Sequence, residues 1–143
     1  MKSFRGMSGG LRRARGFTLL EIVVVMVLIA LVMAGVAATV NRQRQKATWN
    51  LAKTQVHNLS GRLEEYAIDN GSAPDRLEDL MAKPGNARNW NGPYAKEKDL
   101  QDAWGHAFIY QKPGQHGDYD LPSLGADGKD GGAGFNKDIH SWD

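Results

Sequence analysis

The chain of 143 residues has no cysteine, which excludes disulfide bonds and leaves packing, or a bound metal, to hold the fold together. It has no proline between Met1 and Ser72, so no proline ring breaks or kinks a helix in that stretch. Basic residues are scarce near its end, where Asp99–Asp143 contains three lysines against eight aspartates. Nucleic-acid binding needs a basic stripe, and this acidic end excludes one there.

The first 40 residues combine a basic leader with a long apolar segment. The leader has no acidic residue and five basic ones, which are Lys2, Arg5, Arg12, Arg13 and Arg15. Ile22–Ala38 contains no polar side chain, and with its flanks it reaches the roughly 20 residues that cross a bilayer core. Positive charge before the segment predicts that the N-terminus stays in the cytoplasm and that the following residues are exported.

Glu21 is the one charged residue between Phe17 and Val40. A carboxylate inside a bilayer costs about 2.5–3.5 kcal/mol on insertion scales, so a partner for it is expected. Three simple interpretations of the segment are a secretory signal cleaved near its alanine-rich end, a plain signal anchor, and the core helix of a soluble protein. The segment is too long and too uniformly apolar for a core helix, and the anchor leaves Glu21 unexplained.

An amphipathic pattern follows the apolar segment. Apolar and aromatic residues recur at alternating spacings of three and four, at Trp49, Ala52, Val56, Leu59, Leu63 and Tyr66. This spacing places them on one face of a helix, and the sequence Asp69–Gly71 supplies a stop. We therefore predict one helix from Thr18 to Asp69, whose first half is transmembrane and whose second half packs on a small domain.

The remaining residues predict a small α+β domain. Asp75 and Glu78 suggest a capping box for a short helix that runs to Met81. Trp90 and Tyr94 are predicted to anchor the following loop to the core. Ala107–Gln111 and Tyr119–Leu124 are rich in strand formers and are joined by a hairpin loop, so they predict a small antiparallel sheet against the long helix.

The motif Gly16–Glu21 reads Gly-Phe-Thr-Leu-Leu-Glu before an apolar helix. It resembles the class III signal of type IV pilins and type II secretion pseudopilins, in which a prepilin peptidase cuts after the glycine and methylates the new N-terminal phenylalanine. The resemblance implies that residues 1–16 are removed and that Phe17 becomes the first mature residue. It also implies that Glu21 neutralises the α-ammonium of a neighbouring subunit and fixes the stagger of subunits in a filament.

Five further motifs extend the resemblance over nearly the whole chain. They resemble the major pseudopilin family of type II secretion, also called general secretion pathway protein G, and they are Trp90–Tyr94, Asp102–Gly105, His116–Asp120, Ser123–Gly132 and Asp138–Trp142. The resemblance implies a type IV pilin-like fold with three parts: the leader 1–16, a transmembrane and assembly helix 17–40, and a periplasmic domain 41–143.

The function implied by this resemblance is structural and not enzymatic. Subunits of the family polymerise through their N-terminal helices into a helical filament that drives protein export across the outer membrane. The implied location is the bacterial inner membrane, with a single span and the C-terminal domain in the periplasm. The implied partners are further copies of the chain, minor pseudopilins, the inner-membrane secretion platform and the prepilin peptidase, with no nucleic acid.

The acidic loop, Leu124–Asp143, is a candidate calcium site. Aspartates on a glycine-rich, tightly turning backbone suit Ca²⁺, which takes six to eight oxygen ligands. From the residues alone, a solvated loop is an equally good interpretation. The family resemblance implies one structural Ca²⁺ held by the side chains of Asp127 and Asp138 and by the backbone carbonyls of Leu124 and Lys129. Ser123 and Asp130 are further candidates.

Two alternative functions stay open at this stage. One is a type IV pilin for adhesion or motility, although surface pilins usually have longer domains and a C-terminal cysteine pair. The other, from a different class, is a membrane-anchored calcium-dependent binding module or enzyme. The four histidines, His57, His106, His116 and His140, have no metal-ligand spacing and are predicted to be structural or exposed.

Overall fold

The computed structural model describes residues 16–143, and the predicted basic leader up to Arg15 lies outside this range. The described residues divide into two compact units, a first that ends at Thr39 and a second that spans Val40–Asp143. The main helix, α1, spans Leu19–Asn70 without interruption, within one residue of the prediction at each end. By its length and composition, α1 is able to cross a membrane.

Local hydrogen bonds explain where α1 begins and ends. The Thr18 hydroxyl oxygen accepts a hydrogen bond from the backbone N–H of Glu21 at 3.2 Å, which satisfies one of the free donors of the first turn. At the other end, Gly71 has a φ of +86° and its N–H donates to the Ala67 carbonyl at 2.7 Å. Glycine adopts this left-handed conformation without steric cost, so the helix stops there.

The core of the second unit forms along one face of α1, as the spacing predicted. The buried residues of the helix are Ala52, Val56, Leu59, Ser60, Leu63 and Tyr66. The apolar and aromatic residues among them pack with Leu77, Leu80, Tyr94, Phe108, Leu121 and Ile139, while Trp49 packs at the edge. The predicted anchors are confirmed: the Trp90 indole N–H donates to the Asp79 carbonyl, and the Tyr94 hydroxyl donates to Asp69.

The sheet is antiparallel and small, but its strands differ from those predicted. Strand β1, Pro122–Ser123, pairs with β2, Ile139–His140, with Ser123 opposite Ile139. Only two residues of the predicted strand Tyr119–Leu124 therefore form a strand, and its partner lies near the C-terminus. Proline cannot donate a hydrogen bond to the ladder, but it is tolerated at the first position of a strand, which is where Pro122 lies in β1.

The predicted strand Ala107–Gln111 is wrong as a continuous element. Its ends form isolated bridges, Gln101 with Ala107 and Gln111 with Asp120. Between these bridges, successive residues bond to different segments: the Phe108 N–H donates to the Leu100 carbonyl and the Ile109 N–H donates to the Pro122 carbonyl. The pairing of the predicted hairpin is nevertheless present in part, because Ile109 bonds to Pro122 and Gln111 exchanges two backbone hydrogen bonds with Asp120.

The predicted short helix is a 3₁₀ helix, Leu77–Leu80, and its predicted cap is wrong by one residue. The Asp79 carboxylate accepts the backbone N–H of Arg76 at 3.2 Å, in place of the Asp75–Glu78 pair. Asp75 is instead held by Lys112, whose ammonium lies 2.9 Å from its Oδ1. Two more 3₁₀ helices, Glu97–Leu100 and Gly134–Asn136, lie in segments predicted as loops.

Candidate functional site

The segment predicted for processing and assembly lies at the start of α1. Gly16, Phe17 and Thr18 precede the helix and are exposed, and the Phe17 side chain is 77% accessible. Glu21 is also exposed, in the first turn of the helix. The apolar side chains that follow are exposed as well, from Leu19 at 83% to Val36 at 53%. A surface of this kind requires a cover that the described residues, 16–143, do not supply.

The acidic loop folds back on itself just after β1. The Ala126 N–H donates to the Phe135 carbonyl at 2.9 Å, and Gly125 approaches the backbone of Asn136 and Lys137. Gly125 has a φ of +68°, and a Cβ there would lie 2.7 Å from the Asn136 carbonyl. Any side chain at Gly125 would open the loop, so glycine is needed at this position.

Asp138 is the most informative of the predicted metal ligands. It is buried, and its Oδ2 accepts the backbone N–H of Gly131 at 2.9 Å. Its Oδ1 is buried without any hydrogen-bond partner among the described residues. A buried carboxylate oxygen left without a donor is costly, and a bound cation would satisfy it. The donor chemistry at this oxygen therefore fits Ca²⁺.

The other predicted ligands are distributed along the same loop. Asp127 and Lys129 are exposed, Leu124 is half-buried, and Asp127 Oδ1 accepts the Lys129 N–H at 3.3 Å. Residues 16–143 contain no group of three or more His, Cys, Asp or Glu side chains placed to hold a metal. The predicted calcium ligands include only two carboxylates, those of Asp127 and Asp138, because the other two ligands are the backbone carbonyls of Leu124 and Lys129. They would therefore not appear as a cluster of three side chains. Among the predicted ligands, the described residues therefore contain one buried side-chain oxygen without a hydrogen-bond partner, which is Asp138 Oδ1.

A buried carboxylate outside the predicted set connects the loop to the rest of the domain. Asp102 Oδ1 accepts the backbone N–H groups of Trp104 and His106, at 3.0 and 2.9 Å. Its Oδ2 accepts the hydroxyl of Ser123 at 2.7 Å. The His106 ring in turn packs against Gly128, where an added Cβ would lie 3.1 Å away. The Ser123 hydroxyl, a further candidate for a calcium ligand, therefore donates its hydrogen bond to Asp102.

The C-terminus is held by aromatic stacking. The rings of His116 and His140 lie 4.0 and 4.5 Å from the Trp142 ring, nearly parallel to it. Each histidine also faces a carboxylate, His116 with Asp120 and His140 with Asp143, both at 3.3 Å. These two histidines thus have structural surroundings, as predicted, and His57 is exposed on α1.

Hydrogen bonds lower the pKa of the two carboxyl groups in this cluster. Burial of Asp120 acts to raise its pKa, but hydrogen bonds from the backbone N–H groups of Gln115 and His116, and from the His116 ring, outweigh it. The pKa of Asp143 is also lowered, because hydrogen bonds from His140 outweigh its desolvation. Both carboxylates therefore stay charged to a lower pH than an ordinary aspartate, and each continues to hold its turn there.

Sequence reasoning missed two residues of this region. The predicted helix includes Thr18, although the pattern Thr-x-x-Glu from Thr18 to Glu21 is a recognisable N-terminal signal and Thr18 caps the helix. Asp102 was noted only as part of a motif. Its role depends on Ser123, which is 21 residues away, and no local pattern indicates such a contact.

Comparison with known families agrees with the motif reading. Residues 39–142 match the family described as type II secretion system protein G. Residues 11–37 match the prokaryotic N-terminal methylation motif, which includes Gly16, Phe17 and Glu21. The two matches together cover the apolar segment except Ala38 and the second unit except Asp143.

Individual relatives lead to the same family. The chain is 43% identical over 124 residues to the type II secretion system core protein G of Xanthomonas campestris, covering 87% of each chain. It is 39% identical to that of Pseudomonas aeruginosa, covering 92% of this chain and 97% of the relative. The crystal structure of the major pseudopilin of enterohaemorrhagic Escherichia coli matches with a TM-score of 0.56 and 28% identity, over 70% of this chain and 90% of that one.

Proposed function

The chain belongs to the type II secretion system protein G family, and we propose that it is the major subunit of a pseudopilus that drives export across the outer membrane. In this proposal the chain is structural and catalyses no reaction. It is made in the inner membrane, with its second unit in the periplasm, and is then assembled with further copies and minor pseudopilins on a membrane platform.

The observation that carries the proposal is the exposed apolar face of α1. Large side chains from Leu19 to Val36 are about half exposed or more, although burying one such side chain is worth roughly 1.5–3 kcal/mol. Lipid covers this surface in the unassembled subunit, and neighbouring α1 helices cover it in the filament. A helix that can exchange one cover for the other is what extraction from a membrane into a fibre requires.

Processing by the prepilin peptidase is supported by the shape of the segment before α1. Gly16 and Phe17 lie outside the helix, and among residues 16–143 no atom beyond its immediate neighbours would contact a side chain placed at Gly16. Thr18 fixes the helix start two residues later. We propose cleavage after Gly16 and methylation of the Phe17 amine, so that the mature chain begins with two residues before the first turn.

Glu21 supplies the partner for that new amine. Its carboxylate lies in the first turn of α1, where the helix dipole favours negative charge. A neighbouring subunit's N-terminal ammonium would neutralise it within the packed helices, where opposite charges relieve each other's burial. An ion pair of this kind fixes the register between identical helices more than it adds stability.

We also propose that the acidic loop binds one structural Ca²⁺. The unsatisfied Oδ1 of Asp138 supports the proposal, and the carboxylate of Asp127 and the carbonyls of Leu124 and Lys129 complete the protein ligands. When bound, the ion supplies positive charge that holds these oxygens together. The chain's own residues do the rest, since Gly125 closes the loop and Asp102 fixes the turn beside it.

The decisive experiment is mass spectrometry of the chain purified from bacterial membranes. A mature protein that begins at Phe17 and carries one extra methyl group supports the assignment. A Gly16→Val variant should keep its leader, while a Gly35→Ala variant, which changes a glycine within the apolar segment, should be processed normally. Cleavage near Ala38, or an intact leader on the unmodified chain, would contradict the proposal.

A further inference from the structure

Three basic residues of α1 form a collar directly after its apolar segment. Arg42, Arg44 and Lys46 are all exposed, and in the described part of the chain none of them lies within ion-pair distance of a carboxylate. At 3.6 residues per turn, Arg42 and Lys46 lie on one side of the helix and Arg44 lies on the other. No acidic residue occurs between Glu21 and Glu64. The collar therefore surrounds the helix with positive charge.

A groove adjoins the collar within the second unit. It has a volume of about 620 Å³, and its lining includes Arg44 and Thr48 from α1 and Trp104, Phe135 and Asn136 from the loops. The two aromatic side chains are half-buried, while Arg44 is exposed. One wall is thus cationic and polar and the other is aromatic. This combination is typical of surfaces at a membrane–water interface.

The collar lies at the depth of lipid headgroups. With 1.5 Å of rise per residue, Arg42 is about 3 Å and Lys46 about 9 Å along the helix from Val40, the last residue of the apolar segment. The headgroup layer on each side of the hydrocarbon core is roughly 5–8 Å thick. When the apolar segment spans the core, Arg42 and Arg44 are therefore within this layer, and Lys46 is at its outer edge.

We propose that the basic collar and the adjoining groove bind the phosphate groups of anionic phospholipids in the leaflet from which the second unit emerges. This inference rests on the proposed function, because it requires α1 to be inserted in a membrane. A second copy of the chain is a poorer occupant. If two α1 helices pack in parallel and near register, their basic collars face each other. Neither helix has a carboxylate between Glu21 and Glu64 to neutralise this positive charge, so the two collars repel. The anionic lipid would retain unassembled subunits and would be released when the filament grows.

The absence of cysteine permits a direct test with a single probe. Ala133 is small and exposed and lines the groove, so an Ala133→Cys variant of the mature full-length chain accepts one spin label there. The labelled chain is reconstituted in nanodiscs of phosphatidylcholine alone or mixed with phosphatidylglycerol. The label's accessibility to a water-soluble nickel chelate is then measured by power saturation, and lipids bound to the chain are counted by native mass spectrometry.

The expected result is lower accessibility of the label in discs that contain phosphatidylglycerol. Bound phosphatidylglycerol should be enriched about fivefold for each basic residue at the surface. Replacing Arg42, Arg44 and Lys46 by glutamine should abolish both effects. Replacing Lys83, Lys96 and Lys98, three exposed lysines elsewhere, removes the same charge and should leave both effects intact. High salt should weaken the effect on the unmodified chain, since the screening length falls to about 3 Å at 1 M.

Three outcomes would overturn the inference. The first is equal accessibility with and without phosphatidylglycerol, and the second is enrichment that survives in the collar variant. The third is protection that follows the number of chains per disc and not the lipid, which would assign the groove to contacts between copies. The proposed function is tested separately by the methylated Phe17, so a processed chain with no lipid effect refutes the lipid site alone.

Discussion

The Ser123 hydroxyl donates a hydrogen bond to Asp102 Oδ2 across 2.7 Å, and both residues are buried. The other carboxylate oxygen of Asp102 accepts the backbone N–H groups of Trp104 and His106. One side chain thus fastens the turn 102–106 to strand β1, at the point where the acidic loop begins. The contact explains how a chain without disulfides fixes the base of that loop.

Replacing Ser123 with alanine should destabilise the domain by about 1–3 kcal/mol, because it leaves a buried carboxylate oxygen without its donor. Urea unfolding of the detergent-solubilised chain measures the loss. Ser72→Ala is the matched control, since Ser72 is exposed and should tolerate the change. Equal unfolding midpoints for the two variants would show that the contact contributes nothing.

The packing face of α1 gives a second prediction. Leu63 is fully buried and Leu51, on the same helix, is 52% exposed. Leu63→Ala should cost about 2–5 kcal/mol, because it removes packed atoms and leaves a cavity. Leu51→Ala should change stability by less than about 0.5 kcal/mol. Thermal unfolding followed by circular dichroism compares them, and a similar loss for both would contradict the assigned face.

The lowered pKa of Asp120 predicts a pH-dependent contribution to stability. A carboxyl group whose pKa is lower in the folded state stabilises the fold above its unfolded pKa of about 3.9, and the gain is lost as the pH falls through the folded value. Asp120→Asn should therefore lower the melting temperature at neutral pH, and the difference from the unmodified chain should shrink below about pH 4. The control is Asp118→Asn, an exposed neighbour. A difference that persists unchanged in acid would refute this account.

Calcium binding by the acidic loop predicts a stability effect that depends on the ion. At a calcium concentration 100-fold above the dissociation constant, one site stabilises the fold by about 2.7 kcal/mol. Asp127→Ala should lower the melting temperature much more in calcium than in chelator, where only its hydrogen bond from the Lys129 N–H is lost. Asp118→Ala removes an exposed carboxylate outside the loop and should behave like the unmodified chain. Identical shifts for Asp127→Ala in both buffers would count against the site.

The role of Glu21 predicts a separation of processing from assembly. Glu21→Gln keeps the size of the side chain but removes its charge, so the variant should lose its leader normally and fail to form filaments. Val23→Ala, within the same apolar segment, should still assemble. Sheared fractions examined by electron microscopy and immunoblotting report filament formation. Normal fibres from Glu21→Gln would show that the charge is unnecessary.

Local patterns account for the parts of the fold that were predicted well. The ends of α1 and its buried face follow from Thr18, Gly71 and a spacing of three and four, which act within a few residues of one another. The short elements were predicted less well. The cap of the 3₁₀ helix lies at Arg76 and Asp79, while Asp75 contacts Lys112, which is distant in sequence.

By itself, the sequence determined the processing motif, the apolar segment with its single carboxylate, and the amphipathic helix, since each depends on neighbours along the chain. Only the tertiary structure decided which strands pair and which polar atoms are left without partners. Strand β1 pairs with β2 because residues far apart in sequence meet there, and the folded loop leaves one buried oxygen of Asp138 without a partner among residues 16–143. Strand pairing and burial depend on such distant neighbours, so propensity and spacing alone do not determine them.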